Sequence, residues 1–264
     1  MSATSPDQIL TSELLELAKR VGREAAALLS NRPAELEVNT KSTAIDVVTQ
    51  MDIKVEAFIV EQLLAARPND GMIGEEGAER ASTSGITWVI DPLDGTVNYL
   101  YDLPGWNVSI AAKDEVGQLI GVVTAPSINS TWWAVRGGGA FHNGKQISCN
   151  DPIELNRAML ATGFQYDIAH RGAQIEHVSR LLPIIRDLRR NGAAAVDLCH
   201  VAMGRVDGYF EHGLKEWDWA AGGLIAREAG ARFGLYGQAP YMMTLAAGPR
   251  LYDELEAFLG LPHA

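Results

Sequence analysis

The most constraining feature of the sequence is a short apolar run that ends in an acidic turn. Residues Ile86 to Ile90 are mostly β-branched or aromatic, which predicts a buried strand with Asp91 at its end. Pro92 and Gly95 are expected to stop this strand, and Asp94 can cap a helix that follows. Because two carboxylates this close on a stiff turn repel each other, the turn predicts a divalent cation between them. The alternative is an ordinary turn whose acids are solvated.

The same turn offers main-chain N–H groups to an anion. The amides of Gly95 and Thr96 lie at the predicted helix start, where unpaired N–H groups and the helix dipole attract a phosphate oxygen. A metal site and a phosphate site in one turn indicate phosphoryl chemistry.

Length, charge and cysteine content limit the classes of protein to consider. The 264 residues suffice for one large domain or two closely packed ones, and no repeat divides them. With 33 acidic and 22 basic residues, the formal net charge of −11 argues against a nucleic-acid partner. Cys149 and Cys199 show no metal-ligand spacing, so reduced thiols in a cytoplasmic protein are expected. No run approaches the roughly 18 apolar residues of a spanning helix, and the N-terminus lacks a signal pattern, so no membrane partner is expected.

Hydrophobic periodicity predicts the elements of the N-terminal half. Apolar residues recur with helical spacing over residues 6–30, and a capping box from Thr49 to Asp52 predicts the start of a second helix. Alternating or clustered apolar residues then predict three antiparallel strands, at Trp106 to Ala112, Gln118 to Thr124 and Ser130 to Val135.

The pattern changes near residue 150. A predicted strand, Met159 to Thr162, is followed by predicted helices at Ile175 to Ile185, Ala193 to Met203 and Ala220 to Ala229. We expect two closely packed halves, residues 1–150 and residues 151–264, without a flexible linker.

The acidic turn resembles the signature of a known family. Residues Asp91 to Asn98 are similar to the signature of the inositol monophosphatase family, which consists of lithium-sensitive, Mg²⁺-dependent phosphatases. Four further segments match that family in order and spacing: Lys41 to Asp52, Gly74 to Glu76, Gly192 to Cys199 and Glu211 to Gly222. The resemblance implies an α+β fold, a layered αβαβα sandwich of the inositol monophosphatase and fructose-1,6-bisphosphatase type. It also implies lithium inhibition and a homodimer.

The resemblance also assigns roles to particular residues. It implies two or three Mg²⁺ ions with oxygen ligands from Glu75, Asp91, the Leu93 carbonyl, Asp94 and Asp218. It implies that Asp52 binds the Thr96 hydroxyl, and that Thr96 and Glu75 align and deprotonate the attacking water. The implied substrate contacts are Leu93, Asp94, Gly95, Thr96, Gly192, Ala193, Ala194, Glu211 and Asp218. On this reading the N-terminal half carries most metal ligands and the C-terminal half completes the metal and substrate site.

Two positions depart from some relatives, and two others match the edge of the site. Some relatives have a hydroxyl residue where Ala193 stands, so one side-chain hydrogen bond is expected to be missing here. Several have histidine where Lys215 stands, so the resemblance does not assign the residues of the outer part of the substrate pocket. Lys41 and Asp46 match positions that line the same site with more peripheral roles.

The implied function is hydrolysis of a small phosphorylated polyol, inositol 1-phosphate, to inositol and phosphate. Histidinol phosphate, fructose 1,6-bisphosphate and 3′-phosphorylated nucleotides are the alternative substrates within the superfamily. The carboxylate of Glu211 favours a polyol, but it would also accept an ammonium group. A non-catalytic regulatory protein is a further alternative, because some bacterial relatives are associated with RNA-related processes. The complete set of acids and the negative charge argue against it.

Overall fold

The structure is a computed structural model that describes residues 6–41 and 47–262. Within these ranges the helices are α1 (Pro6–Ser30), α2 (Gln50–Ala66), α3 (Thr96–Leu100), α4 (Ile168–Leu181), α5 (Ala194–Ala202), α6 (Glu216–Glu228) and α7 (Pro249–Leu259). The strands are β1 (Val38–Thr40), β2 (Val47–Thr49), β3 (Gly71–Gly74), β4 (Glu79–Arg80), β5 (Thr87–Asp94), β6 (Asn107–Lys113), β7 (Gln118–Ala125), β8 (Ser130–Val135), β9 (Gly139–His142), β10 (Lys145–Ile147), β11 (Met159–Thr162), β12 (Asp187–Arg189), β13 (Gly208–His212), β14 (Arg232–Tyr236) and β15 (Met243–Ala247).

The strands form one large sheet, one smaller sheet and the short antiparallel pair β1–β2. The large sheet has eight strands in the order β10-β9-β8-β7-β6-β5-β3-β4 and is antiparallel except for the parallel pair β3 and β5. The smaller sheet has five strands in the order β12-β11-β13-β15-β14, of which β12, β11 and β13 run parallel. The three antiparallel strands expected between residues 106 and 135 are therefore confirmed.

Helices and sheets alternate in five layers. Helices α1 and α2 cover one face of the large sheet, and α5 and α6 lie between its other face and the smaller sheet. Helices α4 and α7 close the outer face of the smaller sheet, where Leu181, Leu251 and Leu255 share its apolar core with Leu245. This arrangement confirms the predicted αβαβα sandwich.

The middle layer packs closely because its residues are small. A Cβ atom on Gly121 of β7 would lie 2.8 Å from the carbonyl oxygen of Ala221, so α6 lies directly on the strand backbone. A Cβ atom on Gly222 would lie 2.9 Å from the Cβ of Leu198 on α5. Close packing of this kind tolerates few volume changes, so it holds the N-termini of α5 and α6 in fixed places.

The helix predictions are confirmed for α1, α2 and α5, whereas α6 begins at Glu216 rather than Ala220 and the prediction for α4 is partly wrong. Helix α1 spans the predicted residues, and α2 begins with the expected capping box, in which Asp52 Oδ2 accepts from the Thr49 amide at 2.8 Å. Helix α4 ends at Leu181 rather than Ile185, because Pro183 disfavours the α conformation in the residue before it. It also begins seven residues before the predicted start, at Ile168.

No helix in the described part of the chain is both long and apolar enough to cross a membrane.

Candidate active site

A cavity of about 390 Å³ opens where the end of β5 meets the N-termini of α3, α5 and α6 and the loop after β3. The cavity wall contains every predicted metal-binding and substrate-binding residue. These are Glu75, Asp91, Leu93, Asp94, Gly95, Thr96, Gly192, Ala193, Ala194, Glu211 and Asp218. Asp52 lies outside the wall and reaches the site through Thr96.

The end of β5 differs from the sequence prediction. The strand does not stop at Pro92 but continues to Asp94. Its pairing with β6 shifts register between Asp91, opposite Ser109, and Asp94, opposite Asn107. Such an irregularity leaves residues outside the regular hydrogen-bonded ladder, and proline, which has no N–H group, is tolerated there. The irregular strand end places both carboxylates beside the cavity.

The carboxylate of Asp94 caps a different helix from the one expected. The residue before α3 is Gly95, with a φ of 84° and no side-chain cap, so Asp94 does not cap α3. Instead Asp94 accepts hydrogen bonds from the amides of Ala194 (3.1 Å) and Ala195 (2.8 Å) at the start of α5. The Asn107 side chain donates a third hydrogen bond at 2.9 Å. Asp94 thereby joins the two halves of the site.

The turn before α3 packs against the turn before α5. Gly192 has a φ of 93°, and a Cβ on Gly95 would lie 3.3 Å from its carbonyl oxygen. The Asn98 side chain fixes this contact, since its amide donates to the carbonyl oxygens of Asn191 (2.7 Å) and Pro104 (3.0 Å). Positive φ values favour glycine at both turns. The first amides of the two helices therefore lie at the same wall of the cavity.

The contact expected between Asp52 and Thr96 is present. The Thr96 hydroxyl lies 3.1 Å from Asp52 Oδ1 and 3.0 Å from the Leu93 carbonyl oxygen. The Thr49 amide and hydroxyl both donate to Asp52 Oδ2, so the carboxylate has a fixed orientation. Burial raises the pKa of Asp52 against the lowering effect of these hydrogen bonds. A carbonyl oxygen has two lone pairs, so Leu93 can also serve as a ligand.

The carboxylates of Glu75 and Glu76 both contact Lys41. The Lys41 ammonium lies 2.8 Å from Glu75 Oε1 and 2.5 Å from Glu76 Oε1. Burial alone would lower the pKa of Lys41, but the two carboxylates raise it above its ordinary value. Burial raises the pKa of Glu76 to about 7, although Lys41 acts in the opposite direction. Asp46, the other peripheral residue, lies outside the described residues.

The acids around the cavity disfavour one another's ionised forms. Burial, followed by the charge of Glu75, raises the pKa of Asp91 and Asp218 well above the ordinary value. Burial also raises the pKa of Asp94 to about 6, despite its three hydrogen bonds. Asp218 sits in the first turn of α6 and accepts from the Lys215 amide at 2.6 Å. A bound cation would relieve this repulsion.

The candidate ligand atoms are of the type that Mg²⁺ prefers. All candidate ligands are carboxylate or carbonyl oxygens, which Mg²⁺ prefers, and two of the carboxylates, Asp91 and Asp94, are almost fully buried. Over residues 6–41 and 47–262, no three acidic, histidine or cysteine side chains are already arranged so that they could hold one ion. The ammonium of Lys41 is the cation that contacts Glu75 in this structure.

The far wall of the cavity contains Glu211 and a partner that the sequence did not reveal. The buried Tyr209 hydroxyl donates to Glu211 Oε2 at 2.5 Å. A Cβ on Gly163 would lie within 2 Å of the same oxygen, so the carboxylate packs directly on the main chain. Burial raises the pKa of Glu211 to about 7, while Tyr209 and Arg190 act to lower it. Tyr209 and Glu211 are two residues apart on one strand, so their side chains lie on the same face, and this spacing could have predicted their contact.

The chain is similar to known proteins over almost its whole length. The sequence model described as "Inositol monophosphatase family" matches residues 8–253. The inositol-1-monophosphatase SuhB of Mycobacterium tuberculosis is 38% identical over 97% of this chain and 96% of its own length. The Nus factor SuhB of Pasteurella multocida is 39% identical over 92% of this chain and 94% of its own.

A solved structure shows the same fold. The crystal structure of the extragenic suppressor protein suhB from Bartonella henselae is similar to this chain with a TM-score of 0.87 and 32% sequence identity. The similarity covers 92% of this chain and 97% of that one.

Proposed function

The chain belongs to the inositol monophosphatase family, and we propose that it is a Mg²⁺-dependent phosphomonoesterase that hydrolyses inositol 1-phosphate to inositol and phosphate. The observation that carries the proposal is the cluster of Glu75, Asp91, Asp94 and Asp218 around one cavity, beside a threonine hydroxyl bound to a buried aspartate. A structural role alone does not account for four acids around one cavity, in which burial and the charge of neighbouring acids raise the pKa of Asp91, Asp94 and Asp218.

In the proposed reaction the cluster would hold cations and a phosphate together. Glu75, Asp91, the Leu93 carbonyl, Asp94 and Asp218 would hold two or three Mg²⁺ ions. When bound, Mg²⁺ would lower the pKa of water and neutralise charge on the phosphate. The first amides of α3, from Gly95 and Thr96, have no partner within the helix and would donate to a phosphate oxygen.

Thr96 and Glu75 would prepare the attacking water. When the Thr96 hydroxyl donates to Asp52, a lone pair of its oxygen is left to accept a hydrogen bond from that water. Asp52 is held by Thr49 and so keeps the hydroxyl in this orientation. Glu75, at the cavity wall, would accept the proton that the water loses. The scheme needs no covalent phosphoenzyme.

Glu211 and the turn before α5 would bind the alcohol part of the substrate. The Glu211 carboxylate would accept hydrogen bonds from ring hydroxyls, and Gly192, Ala193 and Ala194 would offer main-chain groups. Ala193 has no side-chain hydroxyl to add to them. A carboxylate also attracts an ammonium group, so histidinol phosphate is the second candidate substrate that this observation supports.

Further properties of the family are extended to this chain as proposals. They are inhibition by Li⁺ and a homodimer. From the charge, the cysteine content and the lack of a long apolar run, we also propose a cytoplasmic location without nucleic-acid or membrane partners. We also propose two halves, residues 1–150 and 151–264; the strands of the large sheet come from residues 71–147 and those of the smaller sheet from residues 159–247. The candidate ligands come from both halves, since Asp218 lies on α6.

The test is phosphate release with Mg²⁺ from inositol 1-phosphate, histidinol phosphate, fructose 1,6-bisphosphate and 3′-phosphoadenosine 5′-phosphate, each with and without Li⁺. The proposal predicts the highest kcat/KM for inositol 1-phosphate and inhibition by Li⁺. A preference for another compound would refute the substrate assignment alone. Absence of hydrolysis across the panel would refute the phosphatase and favour a regulatory role, which the name "Nus factor" of similar relatives suggests.

A further inference from the structure

Glu56 is a buried acid near the site that the mechanism above does not use. It lies on α2 and is only 5% exposed. Its Oε2 accepts from the amide of Glu76, and its Oε1 accepts from the amide of Ala78, both at 2.9 Å. Among the described residues, no lysine or arginine forms an ion pair with it. Burying a carboxylate costs free energy, which the two hydrogen bonds offset. This arrangement suggests that the role of Glu56 is to fix the main chain that it binds.

The two amides belong to the loop that carries Glu75. On the other side of this loop, the Glu75 amide donates to the carbonyl oxygen of Ile90 at 3.2 Å, next to Asp91 in the chain. The Gly74 amide closes the loop on Ala78 at 2.7 Å. Glu75 is therefore fixed on one side by β5 and on the other by the carboxylate of Glu56.

Gly74 lets the carboxylate come this close. A Cβ on Gly74 would lie 2.4 Å from Glu56 Oε2, nearer than a real Cβ atom comes to a neighbour. The carboxylate therefore occupies the space that a side chain at position 74 would need.

The position of Glu56 on α2 connects two parts of the site. Asp52 and Glu56 are four residues apart and lie on one face of the helix. Asp52 binds the Thr96 hydroxyl after β5, and Glu56 binds the loop after β3. One helix thus sets the separation between the threonine and Glu75. Lys41 contacts the Glu75 side chain, whereas Glu56 binds the main chain of the loop just after Glu75, at Glu76 and Ala78.

We propose that Glu56 is a positioning residue that holds the Glu75 loop in place and thereby sets the metal affinity of the site. The proposal rests on the proposed function only in taking Glu75 as a metal ligand. Replacing residues that orient metal ligands commonly lowers metal affinity by about 10- to 100-fold.

The test compares Glu56→Gln with a matched control, Glu256→Gln. The glutamine that replaces Glu56 keeps one acceptor oxygen, but its NH₂ group faces the second main-chain amide, so one of two hydrogen bonds is lost. Glu256 lies on α7, away from the cavity, and is 2% exposed. It accepts a hydrogen bond from the Tyr236 hydroxyl at 2.6 Å. Both changes remove a buried, hydrogen-bonded carboxylate, and only the first touches the loop.

Three quantities are measured on metal-free protein: amide exchange at Glu76 and Ala78 by NMR, Mn²⁺ binding by calorimetry, and thermal unfolding. We expect Glu56→Gln to speed exchange at one or both amides and to raise the Mn²⁺ dissociation constant about 10-fold or more. Glu256→Gln should lower the unfolding temperature but keep the Mn²⁺ dissociation constant within about twofold.

Two results would overturn the proposal. One is unchanged Mn²⁺ binding by Glu56→Gln, and the other is equal weakening by both variants, which would indicate a general effect of lost stability. If Glu56→Gln does not fold, Glu56→Asp makes the same comparison, because it keeps the charge and withdraws it from the amides. Weaker Mn²⁺ binding together with a wild type that hydrolyses no phosphate ester would refute the proposed function and leave the role of Glu56 standing.

Discussion

Replacing Asp94 by asparagine should separate the stability of the site from its chemistry. In the folded protein, burial raises the pKa of Asp94 to about 6 from an ordinary value of 3.8. Ionised Asp94 therefore costs the fold about 2 pKa units, or about 3 kcal/mol. Because the folded pKa is the higher one, this cost is absent below pH 3.8, grows between pH 3.8 and 6, and is complete above pH 6. Asparagine removes it.

The substitution also has a cost. Asp94 accepts hydrogen bonds from Ala194, Ala195 and Asn107, and an asparagine oxygen can replace only one of its two carboxylate oxygens. The NH₂ group then faces at least one N–H donor, which costs about 1 to 3 kcal/mol. The two effects nearly cancel at pH 8. Metal-free Asp94→Asn should therefore unfold with a free energy between equal to the wild-type value and about 2 kcal/mol above it.

The catalytic consequence should be large. Asp94 is both a candidate metal ligand and a substrate contact, and stabilisation of transition-state charge by metals amounts to several kcal/mol. Mg²⁺-dependent turnover should fall about 100-fold or more.

Urea unfolding at pH 4.5 and pH 8 measures the first effect, and phosphate release measures the second. The stability difference between the two pH values should be about 2 kcal/mol smaller in Asp94→Asn than in the wild type. Full Mg²⁺-dependent turnover in the variant would refute the assignment of Asp94. A loss of more than about 3 kcal/mol at pH 8 would refute the electrostatic argument.

Two further substitutions test other parts of the site. Thr96→Val should lower kcat about 10²- to 10⁴-fold with little change in KM, because the hydroxyl that orients the water is lost, whereas Thr96→Ser should retain most activity; equal losses in the two variants would contradict the role of the hydroxyl. Glu211→Gln should raise the KM for histidinol phosphate more than that for inositol 1-phosphate, because only the first is cationic; equal increases would contradict a charge-based contact. Burial raises the pKa of Glu211 to about 7, so its contribution to stability is lost as the pH rises from about 4.5 to 7, and urea unfolding should show that loss diminished in Glu211→Gln.

Local patterns predicted the parts of the fold that depend on neighbouring residues. The capping box at Thr49 specifies its own hydrogen bonds within four residues, and it is present as expected. The end of β5 was harder to predict, because pairing with β6 extends the strand through Pro92. Proline and glycine rules describe the local chain and do not include the neighbouring strand that overrides them.

The site shows the same division. The family resemblance predicted that Asp91, Asp94 and Asp218 share one site, and all three line one cavity. It did not predict that Asp94 caps α5, whose Ala194 amide lies 100 residues further along the chain. No local pattern singles out Glu56, because the two amides that it binds lie 20 and 22 residues further along the chain. Partners this distant depend on the packing of α2 against the large sheet, which no local pattern encodes.

The most direct test of the account is a crystal structure of the protein soaked with Mn²⁺, with anomalous diffraction recorded at the manganese edge. The account predicts at least two anomalous peaks in the cavity, within coordination distance of Glu75, Asp91, Asp94 and Asp218. Soaked crystals that diffract well but show no anomalous peak at these carboxylates would contradict it.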